Sequence, residues 1–108
     1  MDSILQGTTP TLTIELDPVD LNVENIVALD LAIKQKDNVT DYGLSDVTLD
    51  VENNAISYKF TEDETLAFIP DTFLFVQLRF LLPDGTICGT DRITFSVNDF
   101  IGSEVLAP

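Results

Sequence analysis

Histidine and tryptophan are both missing from this 108-residue chain. Without histidine it has no side chain whose ordinary pKa places a charge change between pH 5 and 8. It also has no serine–histidine or cysteine–histidine nucleophile system. Cysteine occurs once, as Cys88. One cysteine cannot form an internal disulfide, and a zinc site built on it would otherwise need carboxylates, a poor match to the usual nitrogen and sulfur ligands. Cys88 lies between Ile87 and Gly89 with no basic neighbour to lower its pKa, so it reads as a small, partly buried hydrophobe. Basic residues are scarce: five Lys and Arg stand against 19 Asp and Glu, for a net charge of −14. A field of that sign repels phosphate, which disfavours nucleic acid and anionic membranes as partners. No apolar run approaches the roughly 20 residues of a membrane-spanning helix. The first ten residues have neither the cationic nor the apolar region of a secretory signal, so synthesis and folding in a cytoplasm are expected.

What the chain does have is alternation. Side chains two residues apart share one face of a strand. Leu12, Ile14 and Leu16 form one such set, and Val27, Leu29, Leu31 and Ile33 another. Val47, Leu49 and Val51 follow, then Ile56, Tyr58 and Phe60, then Leu74, Val76, Leu78 and Phe80, and finally Ile93, Phe95 and Val97. That predicts six strands, or seven if the segment from Thr86 to Val97 breaks near Gly89. Ile26, Leu29 and Ile33 would also suit one face of a helix over 21–35, but four consecutive alternations favour the strand. Glu52-Asn53-Asn54 can supply a hairpin turn, and Pro83-Asp84-Gly85-Thr86 has turn residues in good order. Asp17-Pro18 and Asp37-Asn38 mark looser connections. Thr61 and Glu64 fit a capping box, so 62–67 is expected to make one helical turn between two sheets, with Pro70 stopping it.

With 44% hydrophobic residues and no repeat or linker, the chain reads as a single domain over 1–108. The expected fold is all-β: a two-sheet antiparallel sandwich, immunoglobulin-like, of six to seven strands with one short helical turn near 62–67. Leu29, Leu31, Tyr58, Val76, Leu78 and Phe95 are expected in its core.

No pattern of catalytic residues emerges. Among 19 acids some pair will sit at almost any separation by chance, so paired carboxylates carry little weight. The run from Asp37 to Gly43 looks like a calcium loop at first. Asp41 falls where an EF-hand loop has its third ligand, but the third residue of the run is Val39 and the twelfth is Thr48, not Glu. A solvated loop is the better reading, and a loose calcium site on Asp37, Asp41 and other loop acids is the alternative. Asn38-Val39-Thr40 matches a glycosylation acceptor but stands without a secretory signal. No glycine-rich nucleotide motif is present, and no cofactor is expected.

The apolar surplus is more informative. Phe73 and Phe75 fall on the strand face opposite Leu74, Val76 and Leu78, a face that water should wet in such a sandwich. Phe68, Ile69, Phe100 and Ile101 add to it, with Val105 and Leu106 beyond. Either loops cover these residues or they form a protein–protein contact, and Phe68, Ile69, Phe73, Phe75, Phe100 and Ile101 are the candidate contact residues.

Three stretches carry a family resemblance. They are Gln6-Gly7-Thr8-Thr9-Pro10-Thr11-Leu12-Thr13, Phe60-Thr61-Glu62-Asp63-Glu64-Thr65-Leu66, and Val76-Gln77-Leu78-Arg79 followed by the Asp84-Gly85 turn. In this order they resemble small structural proteins of phages and prophages of Gram-positive bacteria, and the opening is similar to the N-terminal β-sandwich domain of siphophage baseplate upper proteins. The resemblance implies a non-catalytic tail or baseplate module that contacts copies of itself or other phage structural proteins. It also implies assembly in a host cytoplasm and then residence in the virion. It implies no binding or catalytic residue, and the fibre or receptor-binding domain that baseplate proteins carry is not expected here, which argues against a role in host recognition. The competing expectation is a free-standing module that binds carbohydrate or a surface protein through its loops.

Overall fold

Nine strands, seven of them in the segments that alternation marks, form in a computed structural model that describes residues 2–16, 23–102 and 105–106. They are β1 (Asp2–Leu5), β2 (Thr11–Glu15), β3 (Ala28–Gln35), β4 (Asn38–Tyr42), β5 (Thr48–Asp50), β6 (Ala55–Lys59), β7 (Phe73–Leu81), β8 (Ile87–Gly89) and β9 (Ile93–Asn98). One helical turn, α1 (Glu62–Ala67), links β6 to β7. The larger sheet runs β1-β9-β7-β3-β4, with β8 also paired to β7, and the smaller runs β2-β6-β5. Every pairing is antiparallel except β1 with β9. Named A to G in chain order, with β8 and β9 as two halves of G, these are the B-E-D and G-F-C-C′ sheets of an immunoglobulin sandwich, its first strand lying beside G. The disulfide that joins the sheets of antibody domains has no counterpart. The inward positions of β2 and β7 hold Leu12, Ile14, Leu74, Val76 and Leu78 instead.

The longer strands β2, β3, β7 and β9 each bury one face. In β7 the pattern of nine residues alternates strictly, with Leu74, Val76, Leu78 and Phe80 buried. They pack with Leu29, Leu31, Ile33, Ile56, Phe60 and Phe95 in one core. Burial of each such aliphatic side chain contributes roughly 1.5–3 kcal/mol. Tyr58 departs from expectation: it is only partly buried, because its hydroxyl reaches the Glu64 carboxylate at the sandwich rim.

The turns follow local chemistry. Asn54 takes a φ of 50° at the β5–β6 hairpin, and Gly85 takes 88° between β7 and β8. The latter turn is closed by Leu82 N–H donating to the Thr86 carbonyl at 2.9 Å. α1 begins as its capping box requires: Glu64 N–H donates to Thr61 Oγ1 at 3.2 Å, and Thr61 N–H donates to Glu64 Oε1 at 2.8 Å.

Several sequence expectations need correction. The final segment does break at Gly89, but β1 and β4 are additional strands. Asp37-Asn38 is not a loose connection, since Gln35 pairs with Asn38 across the two-residue turn Lys36-Asp37. Lys36 supplies the positive φ of 53° there. The strand favoured over a helix forms as β3; ahead of it Val23–Asn25 form a 3-10 turn, and Val27 is exposed because alternation runs one residue past the strand's start. Val51 is exposed for the same reason beyond the end of β5. Asp17-Pro18 lies outside the described residues.

Candidate functional site

The outward side chains of the larger sheet can be placed row by row from the strand register. Phe75 stands directly opposite Lys34 of β3 and Thr94 of β9. Phe73 stands opposite Ser96, which is level with Ser3 of β1. Arg79 stands opposite Asp30 on one side and Gly89 on the other. Leu81 closes the last row between Ala28 and Ile87. Because inward neighbours fill the core, these residues face solvent: Phe73 is 50% exposed, Ile87 is more so, and Phe75 is half-buried.

The cover on Phe75 is a cation. The Arg92 guanidinium lies over its ring, 4.8 Å from the centroid, an arrangement worth about 0.5–1 kcal/mol at an exposed site. Lys34 and Arg92 therefore flank one aromatic ring. Arg79 donates from Nε to Asp30 Oδ2 at 3.2 Å across the same face. Three of the chain's five cations sit here, accompanied on β3 and β4 by Asp30 and Asp41. Asp41 is raised above the usual carboxylate range, first by a hydrogen bond shared with Asp30 and then by repulsion from it, with Arg79 offsetting part of the effect. In a chain of net charge −14, one face is thus apolar and locally cationic.

The other candidate contact residues lie elsewhere. Phe68 points inward and packs edge-on against Phe60, with ring centroids 5.7 Å apart. Ile69 is fixed in the crossover by Gln35, a buried side chain whose amide accepts from Ile69 N–H at 2.7 Å and donates to the Ile69 carbonyl at 2.9 Å and Thr72 Oγ1 at 2.8 Å. Phe100 and Ile101 follow β9 at one end of the sandwich and are exposed. The structure thus brings Phe73 and Phe75 together, and places Phe68, Ile69 and the Phe100–Ile101 pair in three other settings.

Two of the sequence stretches that carry the resemblance meet in space. Thr65 of α1 is fully buried; its hydroxyl donates to the Thr8 carbonyl at 2.7 Å and accepts from Gly7 N–H at 3.0 Å. Gln6 donates to the Phe68 carbonyl at 2.7 Å. Gly7 needs its φ of +80° for this turn, and an added Cβ would sit 3.4 Å from Leu66. Between this turn and α1 lies a mainly apolar cleft of about 210 Å³, lined in part by Phe100, Gly102 and Leu106.

A polar brace closes another part of the rim. Tyr42 of β4 and Tyr58 of β6 stack with ring centroids 4.4 Å apart, and both hydroxyls donate to the Glu64 carboxylate. Burial raises the Tyr42 hydroxyl far above its usual value, and Glu64 adds to this. Burial also pushes Glu64 up, but the hydrogen bonds it accepts from Tyr42, Thr61 and Tyr58 outweigh that and hold it below its ordinary value. The brace ties the two sheets to α1 and places no nucleophile against a base.

The run from Asp37 to Gly43 is strand and turn, not a ligand loop. Among the described residues no group of three or more Asp, Glu, Cys or His is arranged to hold a metal ion. No described helix is long and apolar enough to cross a membrane. Cys88 is partly buried against the core, opposite Phe80. Sequence reading identified Phe73 and Phe75 but missed Lys34, Arg92 and the Tyr42–Tyr58–Glu64 brace. Only the outward parity of Lys34 in β3 hinted at the first; Arg92 depends on the pairing of β7 with β9, and the brace on the packing of the two sheets. No protein-family model, curated protein or solved structure matches the chain.

Proposed function

We propose that this chain is a non-catalytic structural or assembly module of the phage tail or baseplate type, and that it acts through protein–protein contact on the outer face of its larger sheet. One observation carries the contact reading: Phe73 and Phe75 stand on a solvent-facing sheet surface, flanked by Lys34 and Arg92, in a protein otherwise dominated by acids. Aromatic and arginine side chains are the residue types that anchor interfaces. The lack of histidine supports a role without catalysis, since it removes the commonest base that activates a nucleophile. The phage assignment rests on the three sequence stretches named above.

The test combines light scattering at physiological salt with a pull-down against the products of neighbouring genes. Self-association or capture of a virion protein is expected, and Phe73→Ser with Phe75→Ser should abolish it while leaving the fold intact. A strict monomer without a partner, whose doubly substituted variant is as soluble and stable as the parent, would sink the proposal.

A further inference from the structure

A sandwich of two open sheets leaves edge strands whose backbone groups are unpaired on one side. Among these strands β4 is the most open to water: its first four residues are all exposed, and only β3 is hydrogen-bonded beside it. The phase of its free groups follows from the hairpin. Gln35 and Asn38 flank a two-residue turn, so they exchange both hydrogen bonds, as do Ile33 with Thr40 and Leu31 with Tyr42. Val39 and Asp41 therefore aim their N–H and C=O groups away from β3, and no described group bonds to those atoms. Most of the usual guards of an edge are absent. β4 contains no proline and no lysine, and its pairing runs without a bulge. After Tyr42 the chain leaves through Gly43 and the turn Leu44–Asp46 for β5 of the other sheet, so the described chain does not continue along the edge.

The same strand from a second copy, run antiparallel about a twofold axis, meets those free groups, and charge selects the register. Centring the pair on Asp41 would set that acid against its own counterpart, and centring it on Val39 would set Asp41 against Asp37. Centring it on Thr40 sets Val39 opposite Asp41 of the second copy. That pair exchanges both of its hydrogen bonds, and the axis makes it occur twice. Thr40 then meets Thr40, a favourable cross-strand pair. On the outer face Lys34 stands opposite Val39, and so in one row with the second copy's Asp41. Two strand spacings, about 10 Å, separate their backbones, a span that a lysine side chain can bridge. Val39, 55% exposed in one molecule, is covered between them. On the inner face Asn38 and Thr40 lie opposite buried Gln35 and Ile33 yet are exposed themselves. The smaller sheet thus stops short of β4 and leaves room for a second molecule.

We infer that β4 is a self-pairing edge: two copies of this chain join β4 to β4, antiparallel about Thr40, in one sheet continuous through both molecules. Their outer faces then lie side by side, and each Lys34 reaches the Asp41 of the other copy. The contact uses neither Phe73 nor Phe75. A pair of five-residue strands buries less than a standard interface, so half-dimerisation is expected at roughly 0.1–1 mM, above the concentrations of routine light scattering.

The experiment is sedimentation equilibrium with native mass spectrometry from about 10 µM to about 2 mM, together with amide hydrogen exchange read by NMR. Exchange of the Val39 and Asp41 amides should slow as concentration rises, while those of Asn38, Thr40 and Tyr42, already bonded to β3, should not change. Val39→Pro removes an N–H that β3 does not use, and should weaken dimerisation about tenfold or more. Lys34→Glu and Asp41→Lys each put like charges in the shared row, and each alone should dimerise less than the parent. Mixed in equal amounts they should form heterodimers in preference to either homodimer, because both rows then pair opposite charges. Phe73→Ser with Phe75→Ser should dimerise like the parent. Circular dichroism and melting check that each variant keeps its fold. A parent that stays monomeric at about 2 mM, a folded Val39→Pro variant that dimerises like the parent, or a mixture without preference for the heterodimer overturns the inference. A dimer lost in the Phe73–Phe75 variant and kept in Val39→Pro belongs to the sheet face, which overturns the edge pairing and leaves the face reading standing. Protection of the Val39 and Asp41 amides that appears only when another protein is added overturns the second copy as occupant and gives the edge to an extended segment of that protein.

Discussion

Replacing Tyr42 by Phe isolates one interaction in the brace between the sheets. The ring, its stacking on Tyr58 at 4.4 Å and its packing all remain, and only the O–H donated to Glu64 is lost. A hydrogen bond to a charged group contributes about 1.5–3 kcal/mol. Two features reduce that here. Glu64 keeps the hydrogen bonds from Tyr58 and from Thr61 N–H, at 2.7 and 2.8 Å, and the site is open enough for water to replace part of the loss. The expected cost is about 1–1.5 kcal/mol at pH 7, read as a shift in urea midpoint at constant slope. The cost should also depend on pH. Glu64 is depressed in the folded protein, so its contribution is present above the unfolded value, about pH 4.3, and is lost as pH falls through the folded value. Parent and variant should therefore converge as pH falls well below that value and Glu64 protonates in the folded protein. The opposite limit has the opposite sign. The raised Tyr42 hydroxyl contributes stability that is complete below about pH 10 and is lost above it, so the variant should tolerate alkali better than the parent. A cost below about 0.3 kcal/mol at pH 7, or one that fails to shrink as Glu64 protonates on acidification, would refute the hydrogen-bond account.

Two further outcomes follow from the core and the charge. Leu78→Ala removes a side chain only 1% exposed at the centre of β7, and should cost about 2–5 kcal/mol in denaturant titration; a loss under about 0.5 kcal/mol would mean that the cavity is refilled by its neighbours. Sodium chloride should raise the melting temperature by screening a net charge of −14, and calcium should do no more than magnesium at equal concentration, because the Asp37–Gly43 run is strand and turn. A calcium-specific rise would show that the acids bind the ion.

Legibility in the sequence followed locality. β7 could be read because its burial alternates over nine residues, and α1 because Thr61 and Glu64 cap it within four residues of each other. β4 could not. Its first four residues are all exposed and its fifth is half-buried, so it has no apolar face to read, and only pairing with β3 makes it a strand. The turn before it uses Lys36 at positive φ, where Asn or Gly would have signalled a hairpin. β1 pairs in parallel with β9 from the far end of the chain, a contact without local trace. The contact face divided in the same way. Phe73 and Phe75 were visible by parity, whereas Arg92 over Phe75 depends on the register of β9. Phe68 was misplaced because Pro70 and Asp71, the latter at a φ of 60°, turn the chain between it and β7, and it packs on Phe60 instead.

The acidity of the chain argues against self-association only if the acids act as one diffuse field. Many of them have local duties instead. Asp84 accepts from Thr86 N–H at 2.9 Å, Asp46 from Gly43 N–H at 2.9 Å, and Asp50 from both the backbone and the amide of Asn53. The hydrogen bonds from Asn53 and Thr86 hold Asp50 and Asp84 below the usual carboxylate range. Glu64 caps α1 and anchors the brace. These acids sit at turns and helix starts, where carboxylates satisfy free N–H groups, and so at the ends of the strands. Exposed charges beyond about 8–10 Å are largely screened at physiological salt, so acids at the ends weigh little on a contact at the middle of a sheet. At that middle the local charges are Lys34, Arg92, Asp41 and the Arg79–Asp30 pair around two phenylalanines. The net charge therefore does not by itself oppose the proposed contact, whose strength would turn on Phe73, Phe75 and the charges beside them.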